Sequence, residues 1–154
     1  VTSLSVWELN YLISKVTVKD VMSKKVVTVD KDTPIEEAAR IMADQKIGGI
    51  PVVSSGKVVG IITETDLFKA FLELMGARQK ATRVTATIPD RPGELAKITK
   101  AIAESGGDFL SFGIFSGPDA DSRVITFKVD GLKKEKVREV LGNLVLKFWD
   151  IRYS

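Results

Sequence analysis

The sequence predicts an α+β chain built from two small α/β domains, a β-α-β-β-α unit followed by a β-α-β-β-α-β unit. Two observations carry this. Short β-branched runs alternate with stretches whose apolar residues recur at helical spacing. Glycine-containing turns and capping signals separate them at every junction. A length of 154 residues leaves room for one or two small domains.

The first element reads as a helix over residues 1–16. Ser5 and Glu8 stand as N-cap and N3 of a capping box, with Leu4 and Leu9 as a hydrophobic staple. Val6, Leu9, Ile13 and Val16 share one face, and that face needs something to lie against. Residues 26–29 form a β-branched run and predict a strand, followed by a turn at Asp30-Lys31-Asp32. Thr33 and Glu36 suggest a second capping box, with Pro34 at the first helical position. Ile35, Ala38, Ala39 and Met42 form the buried stripe of that helix, which runs to about Gln45 and ends at Gly48-Gly49. Residues 50–53 and 58–62 predict two strands joined through Ser55-Gly56 as a tight hairpin. A helix opens at Thr63-Glu64-Thr65-Asp66, carries Leu67, Phe68, Phe71, Leu72 and Met75, and closes at Gly76.

After a short polar linker at 77–81, residues 84–88 predict a strand, and Pro89-Asp90-Arg91-Pro92-Gly93 turns into a helix bearing Leu95, Ile98, Ala101 and Ile102. Gly106-Gly107 stops it. Strands follow at 109–115 and 123–129, broken at Gly117-Pro118-Asp119. A helix holds Val137, Val140 and Leu141, and a last strand covers about 145–153. The crossover rule then places both helices on one face of a four-stranded antiparallel sheet.

Composition excludes several chemistries. Apolar residues are 44% and charged residues 28%, the profile of a soluble globular chain. There is no cysteine and no histidine. Disulfides, thiolate metal sites, cysteine nucleophiles and imidazole acid–base catalysis are therefore absent. No catalytic or metal-ligating constellation is evident; Glu64 and Asp66 lie two apart and do not face each other on a helix. No run reaches the roughly 18 apolar residues of a membrane span, and no signal-peptide pattern is present, so a cytoplasmic location is expected. The chain begins at Val1, which suggests part of a longer product. Residues 1–76 carry 9 Lys/Arg against 10 Asp/Glu, whereas residues 77–154 carry 14 against 10. Lys133, Lys134, Lys136 and Arg138 raise nucleic-acid binding as a less favoured alternative, since no aromatic stacking platform accompanies them.

In order along the chain, Lys19-Asp20-Val21-Met22, the Asp32-Thr33-Pro34 helix start, Ile50-Pro51-Val52-Val53 and Gly60-Ile61-Ile62-Thr63-Glu64-Thr65-Asp66 resemble a CBS domain over residues 17–76. The later β-α-β-β-α-β order, with Asp90-Arg91-Pro92-Gly93-Glu94-Leu95, resembles the ferredoxin-like ACT domain over residues 82–154. Together they resemble acetoin-utilisation (AcuB-type) proteins, which carry two CBS repeats before the ACT domain. One repeat is visible here, and residues 1–16 would be the helix between repeats.

The CBS resemblance implies an adenine nucleotide (AMP, ADP or ATP) as regulatory ligand, with no cofactor required. Asp66 would accept from the ribose hydroxyls and Thr63 would face ribose or phosphate. Val27, Thr28, Ile50 and Pro51 would line the adenine slot. Thr63 and Asp66 also read as a near capping box, a role that coexists with the first. Glu64 and Thr65 stand where many nucleotide-binding repeats carry a base, which favours AMP, ADP or a nucleoside-like ligand over ATP. The ACT resemblance implies an amino acid or other small effector at Asp90, Arg91, Pro92, Gly93, Glu94 and Leu95; a plain strand-to-helix turn is the other reading. Phe112, Phe148, Trp149 and Tyr153 read as core or interface. The expected protein is a non-catalytic sensor that pairs with itself. A ligand-free dimerisation scaffold, or the regulatory subunit of an enzyme of acetoin or acetate metabolism, is the alternative.

Overall fold

The computed structural model describes residues 5–154. It is a mixed α/β chain with two sheets. Two compact units are separated between Thr63 and Glu64.

In the first unit, α1 (Val6–Lys15) begins at the expected capping box. Ser5 N–H donates to Glu8 at 2.8 Å, and Glu8 N–H donates back to Ser5 Oγ at 3.3 Å. Leu4, the expected other half of the staple, lies outside the described residues. None of the residues of α1 is buried. A short helix, α2 (Val18–Val21), follows where the sequence reading placed none. Asp20 accepts from both the N–H and the hydroxyl of Thr17, at 2.9 and 2.6 Å. This is a second T-x-x-D start that the sequence analysis overlooked.

Only Val29–Asp30 of the β-branched run at 26–29 enters a ladder, as β1. A strand needs a partner as well as propensity, and only Val29 and Asp30 face residues of β2 (Gly49–Ser54), in parallel. The capping box expected at Thr33 does not form. Thr33 Oγ1 instead accepts from Asp30 N–H at 3.1 Å, closing the turn locally. The next helix, α3 (Ile35–Gln45), therefore starts with Pro34 as N-cap, one residue later than expected. It ends at Lys46, in the left-handed region at φ 55°, ahead of Gly48-Gly49. Ile47 N–H reaches back to Met42 O at 3.0 Å, a main-chain closure that Lys46 permits without glycine. Antiparallel β3 (Lys57–Thr63) completes the sheet in the order β1-β2-β3. The Ser55-Gly56 hairpin is as expected, with φ 49° and 75°, the pair of positive angles of a type I′ turn.

In the second unit, α4 (Glu64–Leu74) precedes β4 (Thr82–Pro89), α5 (Glu94–Glu104), β5 (Asp108–Ser116), β6 (Ser122–Asp130), α6 (Lys134–Leu141) and β7 (Lys147–Tyr153). The strands form an antiparallel sheet in the order β5-β6-β4-β7. Ile98 and Ile102 of α5 and Val137 and Leu141 of α6 pack with Val84, Ala86, Ile125, Phe127 and Val129, so both helices cover one face. Phe109 and Phe112 lie 5.2 and 5.6 Å from the Phe127 ring within this core. Helix α5 stops at Gly106, φ 84°, where Gly107 N–H donates to Ile102 O at 3.0 Å.

Candidate functional site

The three-stranded sheet of the first unit assembles residues distant in sequence. Val29 faces Val52 in parallel register, and Val27 and Thr28 stand in the unpaired segment just before β1. Across the antiparallel ladder Gly49 faces Thr63, Ile50 faces Ile62 and Pro51 faces Ile61. Ile50, Pro51 and Thr63 thus share one end of this sheet. Ile50 is fully buried, whereas Val27, Pro51 and Thr63 are half-buried and Thr28 is exposed. Asp66 follows three residues after Thr63, exposed in the first turn of α4. The first residue of the next turn is Leu67, and Glu64, Leu67, Phe68 and Phe71 bound an open apolar hollow along that helix.

The turn after β4 holds the other expected site. Asp90 N–H donates to Asp121 O at 2.8 Å, and Asp90 Oδ1 accepts from Arg123 Nε at 2.7 Å. The Asp90 carboxylate raises the Arg123 guanidinium further above its ordinary value. An α-amine arriving here would share Asp90 with that guanidinium. Arg91 and Pro92 are exposed, and Gly93 caps α5 at φ 90° with open space where a Cβ would stand. Glu94 N–H reaches Arg91 O at 3.4 Å, its side chain accepts from Lys97 at 2.8 Å, and Leu95 packs on the core. This is a sharp strand-to-helix turn with an exposed backbone tip.

The basic residues of α6 are not a free cationic stripe. Lys136 pairs with Glu139 at 2.9 Å, Lys134 with Glu135 at 3.7 Å, and Arg138 lies 5.2 Å from the Phe148 ring centre. Phe112 and Phe148 pack on the core, whereas Trp149 is half-exposed and donates to Thr87 Oγ1 at 2.7 Å. Tyr153 is exposed. Among the described residues no group of His, Cys, Asp and Glu is placed to hold a metal ion, and no helix is long and apolar enough to cross a membrane.

Lys128 carries no local signal of its role. It lies on the sheet face opposite the helices, where a solvated side chain is the ordinary expectation, yet it is only 6% exposed. Its Nζ donates to Gln79 O at 2.7 Å and to Ser154 O at 3.2 Å.

The family model for the CBS domain matches residues 18–73. The chain contains a CBS domain. CBS domains are regulatory modules that commonly bind adenine nucleotides and usually work in pairs. The chain is 36% identical over 90 residues to an uncharacterised protein of Methanocaldococcus jannaschii, covering 57% of this chain and 48% of that one. It is 46% identical over 72 residues to a homoserine O-acetyltransferase of Methanosalsum zhilinae, covering 44% of this chain and 15% of the other. Against a CBS domain-containing protein of Bacillus subtilis it is 41% identical over 51 residues, 33% of this chain and 36% of that one. The chain therefore spans about half or less of the length of these curated relatives. The acetyltransferase shares a segment with this chain, and its name describes a much longer protein.

Proposed function

We propose that this chain is a non-catalytic regulatory protein whose CBS domain takes an adenine nucleotide and whose second unit is an ACT domain that pairs and receives a small effector. The reading rests on the CBS match, and the end of the three-stranded sheet supports it. There Ile50 and Pro51 of β2 stand beside the Thr63 end of β3, Val27 and Thr28 lie in the segment leading into β1, and Asp66 follows Thr63 by three residues. A carboxylate accepts well from two vicinal ribose hydroxyls, and one such charged hydrogen bond is worth about 1.5–3 kcal/mol. Glu64 beside it makes AMP or ADP easier to hold than ATP.

Isothermal titration with AMP, ADP and ATP tests the reading. Asp66→Ala is expected to weaken the best ligand by about tenfold or more, the equivalent of ~1.4 kcal/mol. Loss of a helix cap alone would instead appear as about 1 kcal/mol of stability with affinity unchanged. An unchanged affinity removes Asp66 from the site, and no heat with any nucleotide removes the sensor reading.

The second unit resembles an ACT domain in its strand order β5-β6-β4-β7 with both helices on one face. Its effector would meet the backbone tip at Arg91, Pro92 and Gly93, with Asp90 shared with Arg123. The pairing-scaffold alternative has its own support in the sheet edges. Strand β7 is guarded by Lys147, Asp150 and Arg152. Strand β5 has no Lys, Arg or Pro and exposes Ile114 and Phe115. An unguarded apolar edge is a template for a second strand.

A further inference from the structure

Residues 77–81 read as a polar linker, but the amides of Ala77, Gln79 and Ala81 are all tied down. Ala77 N–H donates to Leu72 O at 2.9 Å and Gln79 N–H to Gly76 O at 3.1 Å. Ala81 and Ser154 exchange two main-chain hydrogen bonds, each 3.0 Å. Lys128 Nζ then holds Gln79 O and Ser154 O together. The buried ammonium is thus held by the Gln79 carbonyl and by an oxygen of Ser154, the last residue of the sequence. At the other end, Gly76 takes φ +57°, and a Cβ there would stand 3.3 Å from Ser111 of β5. The Met75 sulfur lies 3.7 Å from the Cβ position of Gly113, also on β5. Ser111 and Lys128 are register partners across β5 and β6, so both ends of the segment land on the same sheet face.

We propose that residues 76–81 are a strap that Lys128 pins across this face, so that α4 and β5 move as one body and a ligand at the first turn of α4 is felt at the β5 edge. The strap itself stands on the contacts above; only its signal rests on the nucleotide reading. The physical device is a short, hydrogen-bonded connection with no slack. A flexible linker would let α4 tilt without disturbing β5, whereas this one carries any displacement of α4 directly onto Ser111 and Gly113. Lys128 is a positioning residue, and its three donors suit two oxygens that approach from different chain segments.

Native-state hydrogen exchange on the full chain tests both parts. Lys128→Met leaves Gln79 O and Ser154 O without their shared donor, so the loss is local to this segment and local protection is the informative readout. Without nucleotide, Lys128→Met is expected to cut the protection of the Ala77, Gln79 and Ala81 amides by about tenfold or more, while Ile125 and Phe127 keep theirs. Protection at 77–81 equal to wild type overturns the strap. If Lys128→Met fails to fold, Gly76→Ala, which strains the φ +57° turn against Ser111, is expected to loosen 75–81 in the same way, and equal protection there overturns it. Adding AMP to wild type is then expected to slow exchange over 110–116. In Lys128→Met AMP should still bind, with that response lost. A response that persists in the variant overturns the coupling. If AMP does not bind wild type, the nucleotide reading fails, and the nucleotide-free comparison still decides the strap.

Discussion

Asp150 shows how one side chain on β7 is governed by its neighbours. It accepts from Arg152 Nε at 2.7 Å and lies 3.4 Å from Arg83. The hydrogen bond from Arg152 holds its carboxyl below the usual range, against the opposing effect of partial burial, with the charges of Arg152 and Arg83 adding to it. A carboxyl depressed on folding contributes stability above its unfolded value of about 3.9, and that stability is lost as pH falls through the lower folded value. Asp150→Asn is therefore expected to destabilise the chain at pH 7, with the gap to wild type closing towards pH 3. Urea unfolding at the two pH values measures it, and a gap that stays constant refutes the assignment. Half-exposed Arg152 places the effect at the small end of ion-pair contributions.

Among the elements, the junction of α5 and β5 shows how packing fixes a glycine. A Cβ on Gly107 would stand 2.7 Å from Ile102 Cγ2 and Leu132 Cδ1 and 2.8 Å from Val129 Cγ2. Three core side chains would have to move at once. Gly107→Ala is expected to cost about 1–3 kcal/mol, the usual range for overpacking, measured as a fall in the urea midpoint at unchanged slope. Gly106 beside it already supplies the positive φ of the helix stop, so the requirement at Gly107 is for space. Much of this was legible in the sequence: Ser5 with Glu8, Ser55-Gly56 and Gly106 each act over one to four residues. Thr33 was misread because its hydroxyl could serve either the helix ahead or the turn behind, and the Asp30 amide claimed it. The strand at 26–29 shrank because its partner faces only its last residue and the next.

For the whole molecule, the decisive quantity is apolar surface left uncovered. Helix α1 exposes Val6, Trp7, Leu9, Leu12 and Ile13, and β5 exposes Ile114 and Phe115. The first unit buries Val29, Ala38, Met42 and Ile50, a thin core for a sheet and a helix. CBS domains usually pair, and the proposed pairing of this chain with itself would cover such surface. Sedimentation at micromolar concentration is expected to show a dimer or larger species. Phe115→Lys, which places a charge on the unguarded edge, should weaken association measurably while leaving the Phe127 core intact. A strict monomer for wild type would refute pairing, and association unchanged in the variant would move it away from β5.

Read alone, the amino-acid order determined the sequence of helices and strands apart from α2, the Ser5 cap, the Ser55-Gly56 hairpin and the Gly106 stop, and the CBS motifs from Lys19 to Asp66. These signals are local, because a cap, a hairpin or a helical stripe is satisfied by residues within a turn of one another. Tertiary structure alone decided that Lys128 is buried beside the 76–81 segment, that Arg123 reaches Asp90 across 33 positions, and that Gly49 and Ile50 stand beside Thr63 and Ile62 at one sheet end. Those outcomes depend on which strands lie side by side. Ladder register is set by the summed packing of both faces, a quantity no short stretch of chain contains.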